Sequence, residues 1–295
     1  MTRLTRYATL AAATFAAGMS LAHAAETAAD PAFTAHIDLT SQYVLRGATT
    51  TYGNGAALGN AGADAPESSR PALQWGADLA WANGWSAGYW ASTINYSYRQ
   101  LGRSYSDRSV TNFQSPRSIE NDFYGAYTGK LDDWQYAAGL TYYAYVNGTH
   151  ADAAETKLMV GYGPLTLTAQ TLLSDTVWGN RGDTYWSAAY TRSLPMNLGF
   201  TATLGSYTYR KEGRYLGTVD TATGTPCGSG SAFVVNGCYA GRGPVSSAFR
   251  HLTLALNGSV ADTAISWSLQ AILGGANRFG VHQKSKLIGT LTYGF

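Results

Sequence analysis

Apolar and polar residues alternate with a period of two through most of this chain, and that period limits the folds open to it. Leu287, Gly289, Leu291, Tyr293 and Phe295 fall on one face of an extended segment, with Lys286, Thr290, Thr292 and Gly294 largely on the other. Near the opposite end, Phe33, Ala35, Ile37, Leu39, Tyr43 and Leu45 alternate with Thr34, His36, Asp38, Thr40 and Gln42. Leu73, Trp75, Ala77, Leu79 and Trp81 then alternate with Ala72, Gln74, Gly76, Asp78 and Ala80, and the stretch from Trp134 to Tyr145 repeats the scheme. Such strands need a different solvent on each face. A membrane barrel and a soluble sheet both supply one.

The connections separate these two folds. Candidate strands run over residues 33–45, 71–81, 85–98, 119–128, 134–145, 154–162, 165–174, 184–192, 198–209, 248–256, 263–273 and 285–295. That is about twelve, each near the roughly 9 to 11 residues a tilted strand needs to cross hydrocarbon. Short turns at 82–84, 130–133, 163–164, 193–197 and 257–262 alternate with longer loops, the longest from Arg210 to Ser247. Asn83-Gly84 is a hairpin signal in which both residues tolerate positive φ. Trp81 and Trp85 bracket that turn, where an aromatic girdle would sit. Short turns on one side and long loops on the other, with both termini on the short side, predict an all-β, closed, antiparallel, up-and-down transmembrane β-barrel of about twelve strands. A secreted β-sandwich is the competing fold, and it does not require that regularity. The third strand is aromatic on both faces, so its parity leaves the lipid side open.

Residues 1–24 read as a secretory signal: a basic start with Arg3 and Arg6, an apolar run to Leu21, and Ala22-His23-Ala24 as the cleavage site. The barrel domain is then 25–295, and the expected location is the outer membrane. Losing Arg3 and Arg6 takes the formal charge from +2 to about zero, so nothing favours nucleic acid as a partner. No later stretch approaches the roughly 20 apolar residues of a spanning helix, so a membrane-inserted form must be a closed barrel. Cys227 and Cys238 lie in a Gly- and Ser-rich stretch, and in an exported protein they predict one local disulfide. No His or Cys cluster accompanies them, which argues against a metal, and no cofactor motif is present.

Several ordered blocks resemble a known family: Ser41-Gln42-Tyr43-Val44-Leu45-Arg46-Gly47, then Pro71 to Asp78, Gly84 to Ser92, Glu120 to Tyr127, and Glu155 to Leu165. They are similar to the TorF-like porins, also called the Gcw_chp family, of bacterial outer-membrane proteins. The resemblance spans roughly the first two-thirds of the chain after the signal, and the Cys227 to Cys238 loop departs from it. It implies a barrel and a pore, without a known substrate.

Asp38, Asp78, Glu120, Asp122, Glu155 and Lys157 share the polar parity of their strands and are expected to face a lumen. Arg46, at the top of the first strand, is expected to pair with Asp78. Together these seven are the candidate pore lining. They set ion preference in one reading and brace a narrow barrel in the other. Inward Tyr124, Tyr143 and Tyr145 would narrow the lumen further. The long loops sum to about +4 and the short turns to about −2, so the outer mouth is expected to attract anions or lipopolysaccharide phosphates. His36, His150, His251 and His282 have no recognisable nucleophile motif around them, so no catalytic residues are assigned. Arg181-Gly182-Asp183 matches an integrin-binding tripeptide of little weight. The sequence therefore predicts a passive channel for ions or small hydrophilic solutes in contact with outer-membrane lipid and lipopolysaccharide. The alternative is a non-conducting structural or adhesive barrel acting through its outer loops. Oligomeric state is left open.

Overall fold

The β-branched and aromatic residues of the alternating segments form strands, and each strand pairs with its chain neighbours across the connections described above. In the computed structural model the described residues are 31–51, 55, 58, 69–95, 97–113, 117–220, 223–228, 238 and 242–295. The expected signal segment lies outside them. In chain order the elements are β1 (Ala32–Thr40), β2 (Ala72–Ala80), β3 (Trp85–Ile94), α1 (Arg99–Ser104), β4 (Ser118–Leu131), β5 (Trp134–Tyr145), β6 (Ala153–Tyr162), β7 (Leu165–Leu172), β8 (Thr184–Leu194) and β9 (Leu198–Thr208). A two-stranded ribbon of β10 (Val219–Asp220) and β11 (Thr225–Pro226) follows, and then β12 (Ser247–Ser259), β13 (Ile265–Gly274) and β14 (Lys286–Gly294).

Twelve of these strands close into one antiparallel barrel, with β10 and β11 standing apart in the longest loop. The seam is the pairing of β1 with β14, running from His36 opposite Gly294 to Thr40 opposite Thr290. Ala35 and Phe295 exchange backbone hydrogen bonds at the end of that seam, 2.9 Å each way. Closure leaves no unpaired edge, which is what a β-structure in hydrocarbon requires.

The two faces have the expected chemistry. Phe33, Leu39, Leu140, Leu158, Leu204, Leu269, Leu287 and Leu291 are exposed on the outside, whereas Glu120, Asp122 and Glu155 are buried inside. Aromatic pairs ring the short-turn end, with Trp85 against Tyr127 at 5.3 Å and Trp134 against Tyr162 at 4.9 Å. Their amphipathic rings suit the boundary between hydrocarbon and water. Among the described residues no helix is long and apolar enough to cross a membrane.

The structure also resolves β3. Trp85 and Tyr89 point outward, Tyr89 against Phe123, while Trp90, Ser92 and Ile94 are buried inside. The turn before β3 differs from a two-residue hairpin. Trp81 and Trp85 bond across a three-residue loop, and Gly84 alone takes positive φ, at 91°. A Cβ there would lie 2.3 Å from the Thr128 carbonyl, so glycine also admits the neighbouring strand. Two strands end earlier than their alternation suggests: β1 stops at Thr40 and β3 at Ile94. Beyond them, Tyr43 and Tyr98 are buried.

Candidate lumenal constriction

Strand parity carries the predicted acids inward, and strand pairing brings them onto one wall. Asp38 is opposite Gln74, Gln74 opposite Ser92, and Ser92 opposite Glu120. Asp122 is opposite Trp90 and then Tyr143, and Glu155 is opposite Thr141. Glu120 and Asp122 are both 0% exposed. The Tyr145 hydroxyl donates to Glu120 at 3.0 Å, the Tyr124 hydroxyl donates to Asp78 at 2.5 Å, and His36 Nδ1 lies 2.9 Å from Asp38. Lys157 follows Glu155 by two residues on β6 and so faces the same way. The wall from β1 through β6 therefore carries five carboxylates.

Arg46 does not pair with Asp78. The chain leaves the sheet after Thr40, and Arg46 takes a left-handed backbone with φ 47°, followed by Gly47 at 72°. That turn aims the side chain across the lumen to β6, not along the wall to β2. Its two terminal nitrogens donate to Glu155 at 2.8 and 2.5 Å, to the Tyr207 hydroxyl at 3.0 Å and to the Tyr143 hydroxyl at 3.1 Å. The Tyr143 hydroxyl donates in turn to Glu155 at 2.7 Å, and the guanidinium lies 4.9 Å from the Tyr185 ring centre. A bidentate, charge-assisted pair of this kind is among the stronger polar contacts available to a protein. Tyr124 satisfies Asp78 in its place.

The opposite wall is basic and aromatic. A register shift between Phe249 and His251 lets consecutive residues Arg250 and His251 both face inward. His251 lies 2.8 Å from the Tyr185 hydroxyl and 2.9 Å from Thr253, and Arg250 donates to the Arg46 carbonyl at 3.4 Å and the Ala276 carbonyl at 3.1 Å. A Cβ on Gly47 would sit 2.7 Å from that of His251, so the αL turn and the His251 wall fit only with glycine between them. Sequence reasoning did not single out Tyr185, Tyr207 or Arg250. The alternation of Tyr185, Ser187 and Thr191 on one face of β8 was a signal that could have found Tyr185, but the bulge hides Arg250, because an extra residue inverts the alternation at that point.

The long loops fold back over the outer end of the lumen. Tyr43 packs on Trp90 at 5.4 Å, and Tyr98 on Tyr145 at 4.9 Å, so two residues expected to extend strands are interior plugs. Helix α1 buries Leu101 beside Phe113, Tyr215 and Phe279 in one apolar cluster. Beneath it remains a cavity of ≈ 70 Å³. Asp183 accepts the backbone N–H groups of Asn180 and Arg210 at 2.7 Å each and pairs with Arg278. With the acid so committed and 3% exposed, the Arg181-Gly182-Asp183 tripeptide is a loop brace and does not present its carboxylate to a receptor. Cys227 and Cys238 form a disulfide with Cα atoms 5.4 Å apart.

Solved barrels of similar architecture share little sequence with this chain. NanC porin is 11% identical, with 88% of this chain and 98% of that one covered and a TM-score of 0.41. Salmonella typhi OmpF is 9% identical, covering 90% and 97%, with a TM-score of 0.38. Escherichia coli outer membrane phospholipase A is 12% identical, covering 89% and 97%, with a TM-score of 0.37. No curated protein matches the chain. Residues 24–251 match the model of a bacterial family described as being of unknown function, Gcw_chp, and the chain belongs to that family.

Proposed function

We propose that this protein is a narrow outer-membrane channel, of the TorF-like porin type, through which ions or small hydrophilic solutes diffuse. One observation carries the reading: a barrel with an apolar outside holds a charged interior, with five carboxylates on the wall from β1 through β6, Arg250 and His251 on β12 across from it, and Arg46 reaching between them. A barrel needed only as a scaffold has no use for so many desolvated charges, each of which costs free energy to bury. Charge segregation across a lumen sets a transverse field that orients polar solutes and biases ion traffic. The seven predicted lining residues then act together, with Arg46 and Glu155 as the constriction and Asp38, Asp78, Glu120, Asp122 and Lys157 setting the potential beside it.

Export by cleavage after Ala24 is part of the same proposal, and the basic outer loops suit contact with lipopolysaccharide phosphates. Conductance in planar bilayers tests the channel. Discrete events are expected from folded protein, and reversal potentials in asymmetric salt should move toward anion preference in Glu120→Gln/Asp122→Asn. Folded protein without channel events refutes it.

The apolar cluster over the outer mouth favours a second reading, a closed barrel that works through its loops. That reading predicts no conductance from the wild type and none after the cluster is removed.

A further inference from the structure

Asp122 is a buried acid with nothing to hold its charge. It stands on β4 between Trp90 of β3 and Tyr143 of β5, is 0% exposed, and neither of its oxygens has a hydrogen-bond partner. The nearest hydroxyls on the wall are directed elsewhere: Tyr143 donates to Glu155, and Tyr124, two residues along β4, donates to Asp78. Two residues the other way on the same face is Glu120, also 0% exposed. One of its oxygens accepts from Tyr145, and the other, Oε2, has no partner. Two neighbouring buried carboxyls thus share three oxygens without a donor.

The groups packed around the pair do not supply one. Arg46, from the turn beyond β1, and Glu155, on β6, are its charged neighbours, and Tyr43 and Tyr145 face Glu120. Both terminal nitrogens of Arg46 are engaged with Glu155, and Lys157 lies beside that same ion pair. From β3 come Trp90 and Ser92, which do not titrate. An ionised carboxylate with neither donor nor water is costly enough that such a group neutralises instead. A metal ion is a poor solution, since among the described residues no group of three or more His, Cys, Asp or Glu side chains is placed to hold one. Oxygens that water does not reach also leave a metal ion no room. A proton needs none. We infer that Glu120 and Asp122 bind one proton between them.

The proton sits on Asp122 and makes it a hydroxyl that donates to Glu120 Oε2, so one proton supplies the missing donor and removes one of two like charges. The pair then brings a single negative charge to the lumen. When the proton leaves for lumenal water, two carboxylates stand charged beside Arg46 and compete with Glu155 for its guanidinium. Proton release therefore loosens the contact that crosses the lumen.

The proton site stands without the channel reading, whereas its effect on conductance rests on that reading. Infrared spectra of the folded full chain in detergent micelles should show at neutral pH the carbonyl stretch of a protonated carboxyl, shifted in heavy water and lost reversibly as the pH is raised. Asp122→Asn, checked for fold by circular dichroism, should abolish the band, because its amide N–H takes over the bond to Glu120. Glu120→Gln should also abolish it, because the glutamine amide then donates to an ionised Asp122. In planar bilayers the wild-type conductance should rise with pH, and that of Asp122→Asn should be flat. A wild type without the band, or a band that survives in both variants, overturns the site. If neither variant folds, the wild-type spectrum still decides. Conductance independent of pH in protein that shows the band overturns the coupling to Arg46 and leaves the proton site. The band without channel events supports the site and refutes the channel.

Discussion

Arg46 and Glu155 are 5% and 3% exposed at their side chains, so neither has water to fall back on. Arg46→Ala would strand Glu155 among buried groups, and breaking such a pair by removing one partner costs about 3–5 kcal/mol. Urea titration of the barrel in micelles should show that loss, and single-channel records should show larger conductance because the cross-lumen contact is gone. Arg46→Lys should recover only part of the stability, since one ammonium cannot reproduce the fork that meets both Glu155 oxygens. Gly47 is a second sensitive point. Gly47→Ala must place a methyl group in a backbone with φ 72° and against His251, so a loss of at least about 1 kcal/mol is expected in the same assay.

At the scale of elements, strand identity was legible in the sequence because the period of two reports a two-solvent sheet directly. Asp38, Asp78, Glu120, Asp122 and Glu155 were placed inward by the same signal, since a lipid-facing carboxylate would be costly. The failures share one physical origin: periodicity describes a strand's faces and carries no information about where a loop goes. Tyr43 and Leu45 continue the alternation of β1 beyond Thr40, yet Tyr43 is packed on Trp90 inside the barrel. The Arg46–Glu155 contact joins residues 109 apart in sequence, and no local pattern specifies such a pair. Helix α1 is six residues long, too short for a 3.6 period to register. Its role can be tested as an element. Replacing residues 97–113 with a short Gly-Ser linker removes Leu101, Val110 and Phe113 from the outer cluster. The barrel should persist by circular dichroism while conductance in bilayers increases.

For the whole molecule, the governing feature is the apolar outer belt. Leu140, at the middle of β5 and 56% exposed, should lie near the hydrocarbon midplane. Leu140→Arg is then expected to cost about 2–4 kcal/mol in folding into lipid vesicles, measured by urea titration. An unchanged midpoint would remove the membrane assignment.

The seam gives this architecture an order of events. The hydroxyls of Thr40 and Thr290 are 3.0 Å apart although 250 residues separate them in sequence. Bringing ends that distant together costs about 5 kcal/mol in loop entropy, with nothing gained until the pair has formed. The hairpins built at the short turns can assemble early, but β1 must wait for β14, and until then each offers bare amides and carbonyls to whatever surrounds it. Insertion is therefore concerted: these strands enter hydrocarbon together as the ring shuts, because a half-finished sheet has nowhere to put its rims.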